Sequence, residues 1–335
     1  MSRQAPKVVI PAPPFTATLG LDERLRAAGY EVVLMPPGTR ADWTAEEIAT
    51  VFAGADIILA APNQRLWGDV MRAVPGLRLV GSPVIGFDHI DLDTATELGI
   101  LVSNGPTDAI ILGMAEATVM LMAALSLELT RKQASLRDGI WRVAHQSHLV
   151  RNKTVGLIGY GRIGRAVAAR LQGWEVNLQF HDPYVQGSIP LDELLQTSDI
   201  VSIHSPRTDE TRGLIGAREL QLMKPTAILI NTARGDLVDE AALADALDNN
   251  TIFAAGIDAW SDEPTSPDNP LFRCDPNRII VTPHNVGHSL EIGPAAVEMA
   301  LRTIDRVLEG DLPESVANPE VIERWKARFG GDGRR

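Results

Sequence analysis

The chain has 335 residues, more than one ordinary core needs and fewer than three would, so two α/β domains of about 150 residues each are expected. Its 31 basic against 43 acidic side chains give a net charge of −12, which repels nucleic acid and anionic lipid and argues against both as partners. The 45% hydrophobic share excludes a disordered or collagen-like chain. A single cysteine, Cys274, can form neither an intramolecular disulfide nor a cysteine metal cluster and suits a reducing cytoplasm.

In chain order, short apolar strands alternate with amphipathic helices, the pattern of βαβ units on a parallel sheet. The first series places strands over 7–10, 31–34, 56–60, 78–81 and 100–102, with helices over 21–28, 44–52, 65–73 and 91–97. That is a flavodoxin-like layout. An apolar helix over 113–129 follows, with so little polar surface that it must be buried on every side, as a core helix or as half of a subunit contact. Its longest largely apolar run, 117–127, is well short of the roughly 20 residues a membrane helix needs, and the N-terminus carries no signal-peptide pattern. A second series has strands over 154–159, 176–181, 199–204, 226–231, 251–258 and 278–282, which suits a doubly wound dinucleotide fold. A last amphipathic helix over 294–308 returns to the first domain, and 330–335 reads as a loose tail.

The second series opens on Gly159-Tyr160-Gly161-Arg162-Ile163-Gly164, a GxGxxG between a strand and an alanine-rich helix. The first glycine makes the tight turn and the second lets backbone approach a pyrophosphate. The third lets the helix lie close to the sheet, and the helix N-terminus offers unpaired N–H groups to the anion. Arg162 is placed to touch the pyrophosphate. Asp182, at the end of the next strand, can accept both hydroxyls of an adenosine ribose and would repel a 2′-phosphate, which favours NAD over NADP.

Three later segments each begin at a strand end, where an open parallel sheet holds its ligands. They are 231–240, 256–264 and 281–289. Arg234 can fork two hydrogen bonds onto a carboxylate. His284 can exchange a proton with a hydroxyl near neutrality, and Glu263 would hold the imidazole and favour its charged form.

With these motifs in order, the chain resembles the NAD-dependent D-isomer-specific 2-hydroxyacid dehydrogenases from about Val8 to Asn318. The motifs that carry the resemblance are the GxGxxG, Asn231-Thr232-Ala233-Arg234-Gly235, Asp258 through Glu263-Pro264, and Pro283-His284. It implies a reversible hydride transfer between NAD(H) and a small 2-oxo or 2-hydroxy acid, D-specific. Arg234 would bind substrate, His284 would be the acid/base and Glu263 its support. Asp258 would hold the nicotinamide amide. His204-Ser205-Pro206 would run along the cofactor, with Thr232, Ala233 and Gly287 also beside it. Backbone N–H groups at Ile85 and Gly86 would receive the substrate carboxylate. The implied architecture is α/β with two doubly wound domains. A Rossmann NAD-binding domain, 104–288, is inserted into a flavodoxin-like substrate domain built from 1–103 and 289–335. The apolar helix would make a homodimer contact.

Alternatives stand beside this reading. Relatives with the same fold and even the same three residues act as NAD(H)-sensing regulators, and formate or phosphite dehydrogenases share the superfamily. Ile85 supplies no extra base for an inorganic oxyanion. Val84 stands where relatives carry glycine, and the stretch from Asn104 to Glu116 is one residue longer than usual. Arg207 stands where relatives carry an aliphatic residue and reads as solvated. Trp260 reads as packing, His145 and His148 as surface loop, and His284 with His288 not as a metal pair. His204 reads equally as a backbone cap and as a cofactor contact.

Overall fold

The computed structural model describes residues 5–11, 20–36, 42–60, 68–142 and 146–330. His145 and most of the 330–335 tail lie outside them. The chain divides into two compact units, one of residues 1–110 with 289–335 and one of 111–288. The first division falls inside a helix.

The first unit holds β1 (Lys7–Ile10), β2 (Glu31–Leu34), β3 (Ile57–Leu59), β4 (Leu79–Gly81) and β5 (Leu101–Ser103), all parallel, in the order β2-β1-β3-β4-β5. This is the flavodoxin-like order. Between them run α1 (Leu21–Ala27), α2 (Ala45–Phe52), α3 (Gly68–Arg72) and α4 (Leu92–Leu98). Alternate strand residues enter different cores because both faces of a parallel sheet are covered. Val9, Ile58, Val80 and Val102 pack with Phe52, Met71 and Leu77 on one face. Val8, Ile10, Ile57, Leu79 and Leu101 pack on the other with Leu21, Leu25 and the far end of the chain.

That far end supplies α11 (Ile292–Glu309), whose Val297, Ala300, Ile304 and Val307 form one buried stripe, and α12 (Ile322–Phe329), whose Trp325 is fully buried. Buried Asn318 locks the join: its Oδ1 accepts from Val102 N at 2.8 Å and its Nδ2 donates to Ile100 O at 2.9 Å.

The second unit contains β6 (Thr154–Ile158), β7 (Asn177–His181), β8 (Ile200–Ile203), β9 (Ile228–Asn231), β10 (Ala254–Ile257) and β11 (Ile279–Val281) in the order β11-β10-β9-β8-β6-β7, all parallel. Its helices include α7 (Arg162–Arg170), α8 (Leu191–Thr197), α9 (Ala217–Leu222) and α10 (Glu240–Asp248). The order reverses between β6 and β8, and this switch point opens a crevice beyond the strands' carboxyl ends.

The apolar helix expected over 113–129 is α5 (Asp108–Ser126), followed by a separate α6 (Leu129–Arg137). Glu128 takes a left-handed backbone (φ 50°) and breaks the two apart. Within the single chain the burial is one-sided. Ala115, Val119, Leu121, Met122 and Leu125 enter the core, while Leu112 and Met120 are 42% and 51% exposed. By length and composition α5 could cross a membrane, and half of it is buried within the chain. A core helix of a globular unit looks the same by these measures.

Candidate active site

At the switch point, β6 ends in Gly159 with φ 91°, a left-handed conformation that glycine adopts without penalty. Close approach also fixes it, since a Cβ there would lie 2.7 Å from the His204 carbonyl carbon and the Ser205 nitrogen. Gly164 is equally constrained: its Cβ would come within 2.3 Å of Gly159 O, so the third glycine sets how near α7 lies to the strand. Gly161 differs. It is the N-cap of α7, and a Cβ there would meet nothing within 4 Å. Packing forces two of the glycines, and the remaining one borders open space at a helix N-terminus, where a pyrophosphate fits. Arg162 is exposed, Ile163 packs on the core, and the Tyr160 ring stacks on Phe180 with centroids 4.1 Å apart.

Asp182 follows β7. Its Oδ2 accepts the Tyr160 N–H at 2.8 Å and its Oδ1 accepts the Tyr184 N–H at 3.1 Å. The carboxylate is thereby fixed at the lip of the glycine loop, the position a ribose-binding acid requires.

His204 ends β8. Its Nε2 lies 3.0 Å from Ser202 Oγ, and burial lowers its pKa to about 4, so the ring is neutral. Its backbone N–H donates to Ile158 O at 2.7 Å, and its carbonyl lies against Gly159. The ring bonds the Ser202 hydroxyl rather than capping a backbone group, while the His204 backbone braces the loop 204–206 against the glycine turn. His89 and His181 bond backbone carbonyls at Ala60 and Ile189 and hold their own loops.

At the ends of β9, β10 and β11 the expected catalytic residues come together. His284 Nδ1 and Glu263 Oε1 are 2.6 Å apart, and the same oxygen accepts the Trp260 N–H at 3.0 Å. Burial alone would raise the Glu263 pKa. The hydrogen bond from His284, the Trp260 N–H and the charges of His284 and Arg234 outweigh it and hold the carboxyl below its usual range. Glu263 is therefore charged throughout the neutral range.

The turn under His284 is built with care. His284 has φ 54°, unusual for a residue with a side chain. Fully buried Asp258 holds it there, because Oδ1 accepts from Thr282 Oγ1 at 2.6 Å, Asn285 N at 2.9 Å and Val286 N at 3.1 Å. Asp258 Oδ2 is also buried and has no partner among the described residues. An unpaired buried acceptor beside the His284 turn is where a nicotinamide amide N–H would be satisfied, so the residues present fit an NAD cofactor. Gly287 packs on α5, where a Cβ would meet Met114 N at 2.9 Å.

The arginine turn is fixed from both sides. Asn231 Nδ2 donates to Arg234 O at 2.8 Å, and Asn231 Oδ1 accepts the Ala233 N–H at 3.0 Å. Thr232 Oγ1 lies 3.2 Å from Thr118 Oγ1 on α5. Gly235 lies so close to the next loop that a Cβ would fall 1.8 Å from the Trp260 carbonyl carbon. Glu240, the first residue of α10, accepts the Ser261 N–H at 2.7 Å and ties the Glu263 loop down from below. Sequence reasoning passed over Asn231 and Glu240 as working groups. Their signal is position, one at a strand end and one at a helix start. Trp260 is a packing residue, with Nε1 donating to Thr282 O at 2.9 Å and its ring against Phe272. Arg207 is not simply solvated: its Nε lies 2.5 Å from Asp236 Oδ2.

In the first unit, the loop after β4 has its carbonyls occupied, and the Val84 N–H donates to Ser82 Oγ at 3.4 Å. Val84 O accepts from Gly105 N at 2.9 Å, Ile85 O from Asn104 Nδ2 at 2.6 Å, and Gly86 O from Ser82 Oγ at 2.6 Å. Among the described residues, neither the Ile85 nor the Gly86 N–H has an acceptor. Such a loop presents donors to an anion.

The class that this fold and site define is the two-unit, nicotinamide-dinucleotide-linked dehydrogenases. The family profile described as D-isomer specific 2-hydroxyacid dehydrogenase, NAD binding domain, matches residues 119–286. A glyoxylate reductase of Thermofilum pendens is 36% identical over 84% of this chain and 87% of its own length. A D-3-phosphoglycerate dehydrogenase of Methanocaldococcus jannaschii is 36% identical over 84% of this chain, which spans only 55% of that longer relative. Among solved structures, the TT0316 protein of Thermus thermophilus superposes with a TM-score of 0.79 at 32% identity, over 93% of this chain and 99% of that one. An NAD-dependent formate dehydrogenase from Staphylococcus aureus, solved with NAD, gives 0.77 at 28% identity over 90% and 95%. The chain belongs to the D-isomer specific 2-hydroxyacid dehydrogenase family, and its cofactor is NAD.

Proposed function

We propose that the protein reversibly reduces a small 2-oxo acid to the D-2-hydroxy acid, and that residues 104–288 form the nucleotide domain and 1–103 with 289–335 the substrate domain. The observation that carries the reaction is the 2.6 Å His284–Glu263 pair on a turn braced by Asp258. Arg234 binds the substrate carboxylate. Glu263 engages Nδ1 of His284, which leaves Nε2 to carry the exchangeable proton. His284 gives that proton to the substrate carbonyl oxygen as it becomes a hydroxyl, and takes it back in the reverse direction. NAD(H), when bound, supplies or accepts the hydride at nicotinamide C4. Asp182 receives the adenosine ribose, and the loop 204–206 with Thr232 and Ala233 flanks the dinucleotide. Asp258 Oδ2 accepts the nicotinamide amide.

Likeness to glyoxylate reductases supports glyoxylate as substrate. NADH oxidation should be followed against glyoxylate, hydroxypyruvate, pyruvate and phenylpyruvate, with formate and NAD as the oxidation control. Turnover of a 2-oxo acid is expected, and Arg234→Gln should raise its KM by about two orders of magnitude. Turnover of formate alone would place the protein with the formate dehydrogenases. NADH binding without any turnover would make it a sensor.

The protein is proposed to form a homodimer through α5 and the segment after it. Met120, Leu129, Leu136, Ile140 and Trp141 are exposed there, the last at 81%, and their apolar side chains are what a second copy would cover. Sedimentation should give twice the chain mass, and a monomer at micromolar concentration would exclude this contact.

A further inference from the structure

Arg207 and Arg212 both reach Asp236, a cluster with no part in the chemistry described above. Asp236 Oδ2 lies 2.5 Å from Arg207 Nε and 3.2 Å from Arg212 Nη1. The arginines stand on a turn that organises itself, because Thr211 Oγ1 donates to Pro206 O at 2.8 Å and Arg212 N donates to Thr208 O at 3.1 Å. This turn continues directly from His204-Ser205-Pro206, the loop that lies on Gly159. Asp236 stands in the 3₁₀ turn Gly235–Leu237, whose N-cap is Arg234. The carboxylate is only 21% exposed, so its charge is partly withdrawn from water and the pair is less screened than a fully exposed one.

We propose that the Arg207–Asp236–Arg212 cluster is a positioning device that ties the loop along the dinucleotide to the turn carrying Arg234, so that Arg234 is held in place for the substrate carboxylate. Arg207 and Arg212 are assigned here as positioning residues. They act through Asp236, which fixes the backbone on the far side of Arg234 while Asn231 fixes it on the near side. An aliphatic residue at 207 could pack there but could not hold a carboxylate. The proposal rests on Arg234 being the carboxylate-binding residue.

The backbone also zips these segments, with Gly213 N on Asp236 O at 2.8 Å and Ile215 N on Leu237 O at 2.9 Å. A purely structural role for the side chains is therefore a real competitor, and the experiment separates the two. The readouts are KM and kcat for glyoxylate at saturating NADH, NADH affinity by fluorescence without glyoxylate, and thermal melting. Arg207→Met should raise the glyoxylate KM about fivefold to twentyfold, with kcat and NADH affinity each within about twofold. Arg207→Lys, which keeps the charge, should recover most of the loss. Arg207→Met combined with Asp236→Asn should lose no more than Asp236→Asn alone, since the Arg207–Asp236 pair is already absent in that variant.

The proposal is overturned if Arg207→Met leaves the KM unchanged, if KM, NADH affinity and melting temperature deteriorate together, or if lysine rescues nothing. Arg234→Gln keeps this failure distinct from that of the substrate reading. If Arg234→Gln spares the glyoxylate KM, the carboxylate assignment falls, and the proposal with it. If it raises the KM while Arg207→Met does not, only the positioning device falls.

Discussion

Replacing His284 by asparagine should lower kcat for 2-oxo acid reduction by about two to four orders of magnitude, the usual contribution of a positioned general acid. Asparagine is the informative substitution because position 284 has φ 54°, and asparagine tolerates that left-handed backbone better than most residues. The turn pinned by Asp258 is then kept while the titrating ring is lost. NADH should still bind, as read by fluorescence, and a kcat within tenfold of the parent would remove His284 from the acid/base role. Glu263→Gln tests the same pair more finely. In the parent the carboxylate stays ionised below the ordinary range, because the His284 hydrogen bond, the Trp260 N–H and the neighbouring positive charges outweigh burial. The charge that favours the imidazolium is therefore present across neutral pH and is lost only as pH falls through the depressed value. Glutamine removes it at every pH. The kcat for 2-oxo acid reduction should fall by about one to two orders of magnitude with NADH still bound, and an unchanged kcat would exclude the pairing.

Gly235→Ala should be the most damaging single methyl group in the nucleotide-binding unit. Its Cβ would sit 1.8 Å from the Trp260 carbonyl carbon and 2.1 Å from its oxygen, and both are backbone atoms that cannot rotate away. Ordinary overpacking costs about 1–3 kcal/mol, and a backbone clash belongs at or above the upper end. The melting temperature should fall by roughly 6–12 °C. Whatever folds should bind 2-oxo acid poorly, because the Arg234 turn and the Glu263 loop have been pushed apart. An alanine variant with parental melting temperature and KM would show that the two loops are not in contact.

Much of this was legible in the sequence, for a physical reason. Strands buried on both faces read as short apolar runs between turns, so β1 and β2 fall on the expected residues and the others differ only at their ends. Glycine turns and strand-end polar residues are equally visible, which is why the His284–Glu263 pair could be anticipated. The helices α6 and α12 could not. α12 has eight residues, with only Ile322, Trp325, Ala327 and Phe329 apolar, too short a stretch for periodicity to stand out. It is held by tertiary bonds instead, with Trp325 Nε1 donating to Arg78 O at 2.9 Å and Arg324 to Glu97 O at 2.7 Å. Arg207 was misread for the same reason. A charged side chain looks solvated until its partner is known, and Asp236 lies on a different strand's turn.

The construction of the first unit also bears on how the chain comes to be folded. Val8, Ile10, Leu79 and Leu101 share one core with Val297, Ile304, Val307 and Trp325, so that face of the sheet is completed only when the last helices exist. The nucleotide-binding unit uses one continuous stretch and needs neither end. During synthesis from the N-terminus, the segment made first is therefore finished last. The apolar face that Val8, Ile10, Leu79 and Leu101 present can be covered only once residues 297–325 have been made.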